Sequence, residues 1–312
     1  RAHTISMAIP GSIIDNCQSL ELKTYVAGQI ARAAAIYNID EIIVYNESPT
    51  PMKPDPLKDP NVFLARLLLY QECPQYLRKE FFPVHPSLRF AGLLNPLDAP
   101  HHVRVDEKSL YRDGVVLAKK PPGGAAAAAG GCLVNCGLRK DVYLAGKVLQ
   151  PGVRVTVRMR LDETGPSGLP IADPVSRSTP READGVYWGY TVRLAEGLHN
   201  VFAQGPGGNE YDLKIGTSER GVTLTHAVGE ARRRSEREGG SENVFPTKFK
   251  RALIVFGGVK GVEAAIDADE QLHVAAEDAH TLFDHWINTC PGQGSRTIRT
   301  EEAVLVSLAV LR

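Results

Sequence analysis

The stretch TISMAIPGSIIDNCQSLELKTYVAGQIARAAAIYNIDEIIVYNE, residues 4–47, holds a complete strand, helix, strand unit. Its first part is apolar and breaks at Pro10 and Gly11, which predicts a buried strand running into a loop. From Leu20 to Tyr37 the residues Leu22, Tyr25, Val26, Ile30, Ala33, Ala34 and Tyr37 recur at steps of three and four, which places them on one face of a helix. The run DEIIVYNE is short, apolar and β-branched, as a parallel strand buried on both sides requires. Strand, helix and strand in this order make a crossover unit of an α/β sheet.

Working outward, 61–73 predicts a second helix, stopped by Pro74. From Pro96 onward the character changes. The runs DGVVLA, GCLVNCGL, DVYLAG and RVTVRMRL are separated by Gly, Pro and Asp clusters, the pattern of an all-β module. The α/β pattern then resumes as GYTVRLA, YDLKIGTS, ALIVFGG and DHWINTCP, so the β-module reads as an insertion. Ligands of open α/β sheets bind beyond the carboxyl ends of the strands, and this rule aims Gly216, Thr217, Gly257, Gly258, Asn288 and Thr289 at one pocket. The charged run at 232–243 reads as a surface loop whose arginines could touch RNA, though a solvated loop has the same composition.

Composition bounds the function. The chain has 312 residues, enough for two folded units, with 43% hydrophobic and 23% charged residues, near the average of globular proteins. No apolar run is long enough to span a membrane, and the first residues lack the layout of a signal peptide, so an intracellular protein is expected. The chain starts at Arg1 without a Met, which leaves room for a flanking basic tail. Five cysteines at irregular spacing argue against a disulfide framework. Cys132 and Cys136 have no second ligand pair at zinc spacing, so no metal is expected. The formal net charge is zero, while residues 101–200 hold 14 Lys and Arg against 10 Asp and Glu.

Three loops carry the candidate chemistry. NTCPGQGSRTIRTEEAVLVSLAVL, 288–311, joins a Gly- and Ser-rich loop to a final amphipathic helix, and Gly292 and Gly294 let a ligand approach the backbone. Ser295 and Arg296 follow Gly294, so the Lys-Ser/Thr of a nucleotide triphosphate loop is missing. FGGVKG, 256–261, lacks the spacing of the dinucleotide fingerprint and by itself reads equally as a tight turn. KIGTSERG, 214–221, offers Thr217, Ser218 and Arg220 to the same pocket, or a capped turn.

Together with the segments at residues 4–47 and VYWGYTVRLA, these loops resemble the SPOUT methyltransferases, and within them the archaeal and eukaryotic SPOUT-domain-containing methyltransferase group. The resemblance runs nearly end to end, and the β-module matches it mainly in position and size. It implies a trefoil-knotted α/β domain in two parts, 1–95 and 187–312, interrupted by an OB-like β-barrel at 96–186. It implies S-adenosyl-L-methionine (SAM) as cofactor, RNA and first of all ribosomal RNA as substrate, uridine N3 as a target atom, and a homodimer. Carried across residue by residue, Gly258 and Gly261 fall in the middle cofactor loop, and Asn288, Thr289, Gln293 and Gly294 in the last one. Ser295, Thr297 and Ile298 continue that loop toward the adenine, Thr217 contributes to the cofactor site, and Arg220 is the catalytic candidate. Glu219, Glu301 and Glu302 are carboxylates near the pocket by position, with helix capping as their other reading. Tyr143, Tyr187, Trp188 and Tyr190 are read as core residues with base stacking as the alternative. A nuclear or nucleolar location is implied, with spindle association as a further family property. The competing class, a catalytically inactive knotted scaffold that binds RNA, is opposed by the intact NTCPGQGSRTIRT loop.

Overall fold

The computed structural model describes residues 1–122, 130–203, 210–229 and 248–312, and the charged run at 232–243 lies outside the described residues. The chain divides into two compact units. One holds Ala2–Gln71, Pro86–Leu97 and Tyr190–Arg312; the other holds Arg1, Glu72–His85 and Asp98–Gly189.

The first unit is built on a parallel sheet. Its strands are β1 (Thr4–Pro10), β2 (Glu41–Tyr45), β8 (Thr191–Ala195), β9 (Leu213–Thr223), β10 (Arg251–Val255) and β11 (His285–Asn288), in the order β11-β9-β10-β1-β2-β8. Every pairing between these neighbours is parallel. Central strands buried on both faces explain the unbroken apolar runs, since alternate residues of each strand serve opposite faces. One face contributes Ala8, Ile43, Tyr45, Leu253 and Val255 to a core completed by Leu198, Val201, Val262, Ile266 and Phe283. Glu41 ties the sheet crosswise, accepting from Ser6 Oγ (2.8 Å), Tyr211 Oη (3.1 Å) and Arg193 Nε (3.1 Å). Four segments distant in sequence thus meet on one buried carboxylate, which needs such partners to be tolerated there.

Helix α1 (Leu20–Ile36) starts where Ser19 accepts from the Leu22 N–H. It stops before Asn38, which takes a positive φ of 55° that Asn tolerates better than most residues. Val26, Ile30, Ala33 and Ala34 are buried as the periodicity predicts, whereas Leu22 and Tyr25 are about half exposed. Helix α2 (Pro60–Glu72) is capped by Asp59, whose Oδ1 accepts from the N–H groups of Asn61 (2.9 Å) and Val62 (3.3 Å).

The second unit contains a closed five-stranded barrel of β3 (Tyr111–Val116), β4 (Gly131–Asn135), β5 (Val142–Ala145), β6 (Arg154–Thr164) and β7 (Pro170–Val175), in the order β3-β4-β5-β7-β6. Its pairings are antiparallel except for β5 with β7. Strand β7 escaped the sequence reading because Pro170 and Pro174 stand inside it, and proline demotes a run in any strand prediction. Val116, Val134, Val142, Leu144, Val157 and Met159 fill the interior. Tyr143, Tyr187, Trp188 and Tyr190 are all buried, so core packing, and not base stacking, is their fate.

A charged cluster is buried in this unit. Glu72 accepts from Arg154 Nη1 (2.7 Å) and Nη2 (3.0 Å) and from Arg177 Nη2 (2.7 Å), with His101 Nε2 at 2.9 Å. Asp113 accepts from Arg154, from Thr156 Oγ1 (2.8 Å) and from Trp188 Nε1 (2.9 Å). Burial works to raise the Glu72 carboxyl, and Arg177 and Arg154, helped by His101, outweigh it and hold the group well below the usual carboxylate range.

Candidate active site

The site of the sheet unit lies where β9, β10 and β11 end. β11 pairs with β9 through Trp286 to Gly216 and then Ile287 to Val222, so one step along β11 corresponds to six along β9. Residues 217–221 are extruded as a bulge. The run YDLKIGTS predicts a strand that ends near Ser218; it continues to Thr223 because pairing with β11 resumes beyond the bulge. Bulges beside sites serve to re-aim side chains, and this one presents Thr217, Ser218, Glu219 and Arg220.

The loop after β10 folds tightly on itself. Gly258 and Gly261 bridge, the Gly261 N–H donating to the Gly258 carbonyl at 3.0 Å. A side chain at Gly257 would overlap the backbone of Gly261 and Val262, and Gly261 has φ 79°. Glycine is required at both positions, and the wall that they form is backbone.

The loop after β11 is held at both ends. The Asn288 side chain donates to the Glu219 carbonyl (2.9 Å) and its Oδ1 accepts from the Cys290 N–H (3.0 Å). Helix α3 (Glu263–Asp267) follows the β10 loop, and helix α4 (Thr300–Leu311) follows the β11 loop. Thr300 Oγ1 of α4 donates to the Gly257 carbonyl (3.0 Å), and Ser307 Oγ lies 2.7 Å from Thr289 Oγ1. Thr217 Oγ1 donates to the Val255 carbonyl (3.0 Å). The three loops and α4 are therefore bonded to one another.

They enclose a cavity of about 360 Å³, within the range of small-molecule sites. Of the residues singled out in the sequence, Thr217, Arg220, Gly258, Gly261, Asn288, Thr289, Gln293, Thr297 and Ile298 line it. Gly294 and Ser295 lie on the same loop but outside the lining; the Ser295 hydroxyl donates to the Thr297 carbonyl at 2.8 Å. Arg220 is about three-quarters exposed and approaches Glu263 at 3.6 Å, a contact weak enough to exchange for a ligand. Glu219 lines the cavity, whereas Glu301 and Glu302 do not, and Glu302 accepts from the Arg299 N–H at 2.9 Å as a cap of α4. Lys260, Glu263 and Arg296 are lining residues that the sequence reading passed over, because single charges in Gly-rich loops carry no periodic signal.

A carboxylate missed altogether stands next to this site. Glu47, just past β2, accepts from the Ser12 hydroxyl and packs on Gly258, where a Cβ would sit 2.8 Å from Oε2. Among the described residues no group of His, Cys, Asp and Glu is placed to hold a metal ion, and no helix is long and apolar enough to cross a membrane.

Fold and site define an α/β protein with a cavity at the carboxyl ends of parallel strands, in a chain that also carries a β-barrel. The profile of the family described as "Putative RNA methyltransferase" matches residues 4–311, and the chain belongs to that family. It is 49% identical over 320 residues to a 28S rRNA (uridine-N(3))-methyltransferase of Homo sapiens, covering 100% of this chain and 78% of that protein. A protein of the same name from Drosophila melanogaster is 44% identical over 324 residues, covering 99% of this chain and 62% of its own length. An uncharacterized protein of Halobacterium salinarum is 30% identical over 314 residues, with 99% and 98% covered. The chain is an RNA methyltransferase.

Proposed function

We propose that the enzyme transfers a methyl group from SAM to N3 of a uridine in ribosomal RNA. The observation that carries this reading is the convergence of the three glycine-bearing loops on one cavity. Its relatives named for uridine N3 methylation of 28S rRNA supply the target atom. The size of the cavity suits the donor, and the short side chains of Thr217, Ser218, Thr289 and Thr297 beside Gly257, Gly258 and Gly261 leave room for it. When bound, SAM would supply an electrophilic methyl group to uracil N3, whose proton would pass to water while the electrons of the carbon–sulfur bond stay on sulfur. Asn288, Thr289, Gln293, Thr297 and Ile298 would hold the donor, with Gly294 and Ser295 shaping the loop and Thr217, Gly258 and Gly261 contributing to the same lining. Arg220 leaves Glu263 to favour the negative charge that develops on the uracil, a role suited to its planar, permanently charged fork. Alignment of donor and acceptor is the main catalytic task, as expected for an in-line displacement.

We assign the sheet unit to the SPOUT fold, its last segment tucked into a trefoil knot; the bonds from Thr300 to Gly257 and from Ser307 to Thr289 support a C-terminal helix locked against earlier loops. The barrel, with the five strands of an OB-fold, is read as the RNA-binding module inserted between residues 95 and 187. A homodimer is supported by an apolar groove of about 340 Å³ lined by Tyr25, Ile36 and Leu305. Ribosomal RNA as substrate favours a nuclear or nucleolar site of action.

The test is calorimetric titration with SAM and with its demethylated product, S-adenosyl-L-homocysteine (SAH), followed by mass spectrometry of ribosomal RNA for 3-methyluridine. Asn288 lines the cavity, whereas Gly294 lies outside the lining with open space for a Cβ, so Asn288→Ala probes the ligand and Gly294→Val serves as the control on the same loop. Saturable binding that Asn288→Ala weakens, with circular dichroism unchanged, supports the reading. No binding of either compound by the parent protein overturns it.

A further inference from the structure

The cavity is lined by three cations, Arg220, Lys260 and Arg296, and by two anions, Glu219 and Glu263. That balance opposes a donor whose reactive centre is a sulfonium cation. The missing negative charge is at hand in Glu47. Its carboxylate leans from the end of β2 across the loop after β1, where Ser12 donates to Oε1, and ends against the Cα of Gly258. A Cβ on Gly258 would lie 2.8 Å from Oε2 and 2.9 Å from Oε1, so only the glycine lets the charge come this close to the cavity wall. Oε2 is buried and accepts no hydrogen bond from any described residue. A buried carboxylate oxygen without a donor costs stability, and a positive charge placed in the cavity on the other side of Gly258 would offset part of that cost through space.

We propose that Glu47 is the counter-charge of the sulfonium, a specificity-determining residue through which the site prefers the charged donor to its neutral product. The inference rests on the SAM reading above and adds to it a means of product release. Before transfer the donor's positive charge is held by Glu47 in surroundings that screen it poorly; after transfer the thioether is neutral and that attraction is gone. Glu47 lies outside the cavity lining, so its assigned role is to act on the donor's charge through space and not as a base.

The ionisation of Glu47 follows from its neighbours. Burial raises its carboxyl above the ordinary range, the Ser12 hydroxyl opposes this, Asp15 adds to it and Lys260 opposes it again. Tyr45 of β2 also faces the group and is itself raised, first by burial and then by Glu47 and Glu263. Binding of a cation favours the ionised carboxylate, so SAM expels a proton from Glu47 as the pH approaches that raised value, and SAH does not.

The experiment compares SAM and SAH by titration calorimetry on the parent protein, Glu47→Gln and Ser12→Ala, across pH and in buffers of different ionisation enthalpy. In Glu47→Gln the affinity for SAM should fall roughly tenfold while that for SAH holds, and the proton release on SAM binding should vanish. Ser12→Ala keeps the carboxylate but loses its donor, so the pH below which the preference for SAM disappears should rise. Equal weakening of SAM and SAH in Glu47→Gln, or no change in either, overturns the proposal, as does an unmoved pH profile in Ser12→Ala. Failure of the parent protein to bind both compounds removes the cofactor reading itself, a result that involves no Glu47 variant.

Discussion

At the scale of single residues, the site depends on positions where backbone must come close. Gly292 has φ 73° with open space around it, so Gly292→Ala should cost only the strain of a left-handed residue, about 1 kcal/mol. Gly292 lies outside the cavity lining, so a melting curve shifted by that modest amount with SAM affinity kept is the expected result, and a larger shift would show that the turn carries more of the fold's stability. Cys290 lines the cavity and is partly accessible, whereas Cys17, whose thiol is raised by burial and by Glu301, lies outside the lining. Alkylation of Cys290 should slow when SAM is present and that of Cys17 should not. Peptide mapping after iodoacetamide treatment measures both at once, and equal protection of the two would place the ligand elsewhere.

At the scale of elements, the charged cluster around Glu72 makes the barrel unit sensitive to acid. Glu72 and Asp113 titrate below their ordinary range, so the native unit binds fewer protons than the unfolded chain and loses stability as the pH falls below about 4. His102 adds an earlier phase. Burial first, and His101 next, push its imidazole down to about 4, so stability is lost progressively as the pH drops below its usual value of about 6.5. Melting temperatures should therefore be flat above neutrality and fall in two phases on acidification, and a single drop at the ordinary carboxylate range would exclude the histidine phase. Glu72→Gln leaves two arginines beside a neutral buried group and should destabilise by about 3 kcal/mol in urea unfolding.

At the scale of the whole molecule, α1 and α4 pack on each other and leave Leu22, Tyr25, Ile36, Leu305 and Val310 substantially exposed. Apolar residues collected on neighbouring helices mark an association surface. Light scattering should give twice the chain mass for the parent protein and the single mass for a Tyr25→Asp, Leu305→Asp double variant; unchanged mass in the variant would move the interface elsewhere. RNA affinity should fall with salt concentration in proportion to the phosphates contacted.

Much of the architecture was legible in the sequence, because strands buried on both faces and helices buried on one leave local periodic traces. β1, α1, β2, α2 and the barrel strands β3 to β6 could be read from runs such as DEIIVYNE and RVTVRMRL, and the candidate loops from their glycines. The order of the sheet, the bulge at 217–221 and the closing of the barrel by a proline-bearing β7 were not legible, since pairing between distant strands leaves no local pattern. The half-exposure of Leu22 and Tyr25 shows the same limit: periodicity assigns a face, and only the neighbours decide whether that face is covered. The sequence by itself determined which loops could receive a ligand, because glycine freedom and short polar side chains belong to the residues. The strand-end rule already aimed these loops at one pocket; the tertiary structure alone decided how that cavity is lined and that the Glu47 carboxylate, 211 residues before Gly258 in the chain, stands against its wall. Electrostatic and packing energies depend on distance in space, and that distance is set by the sheet.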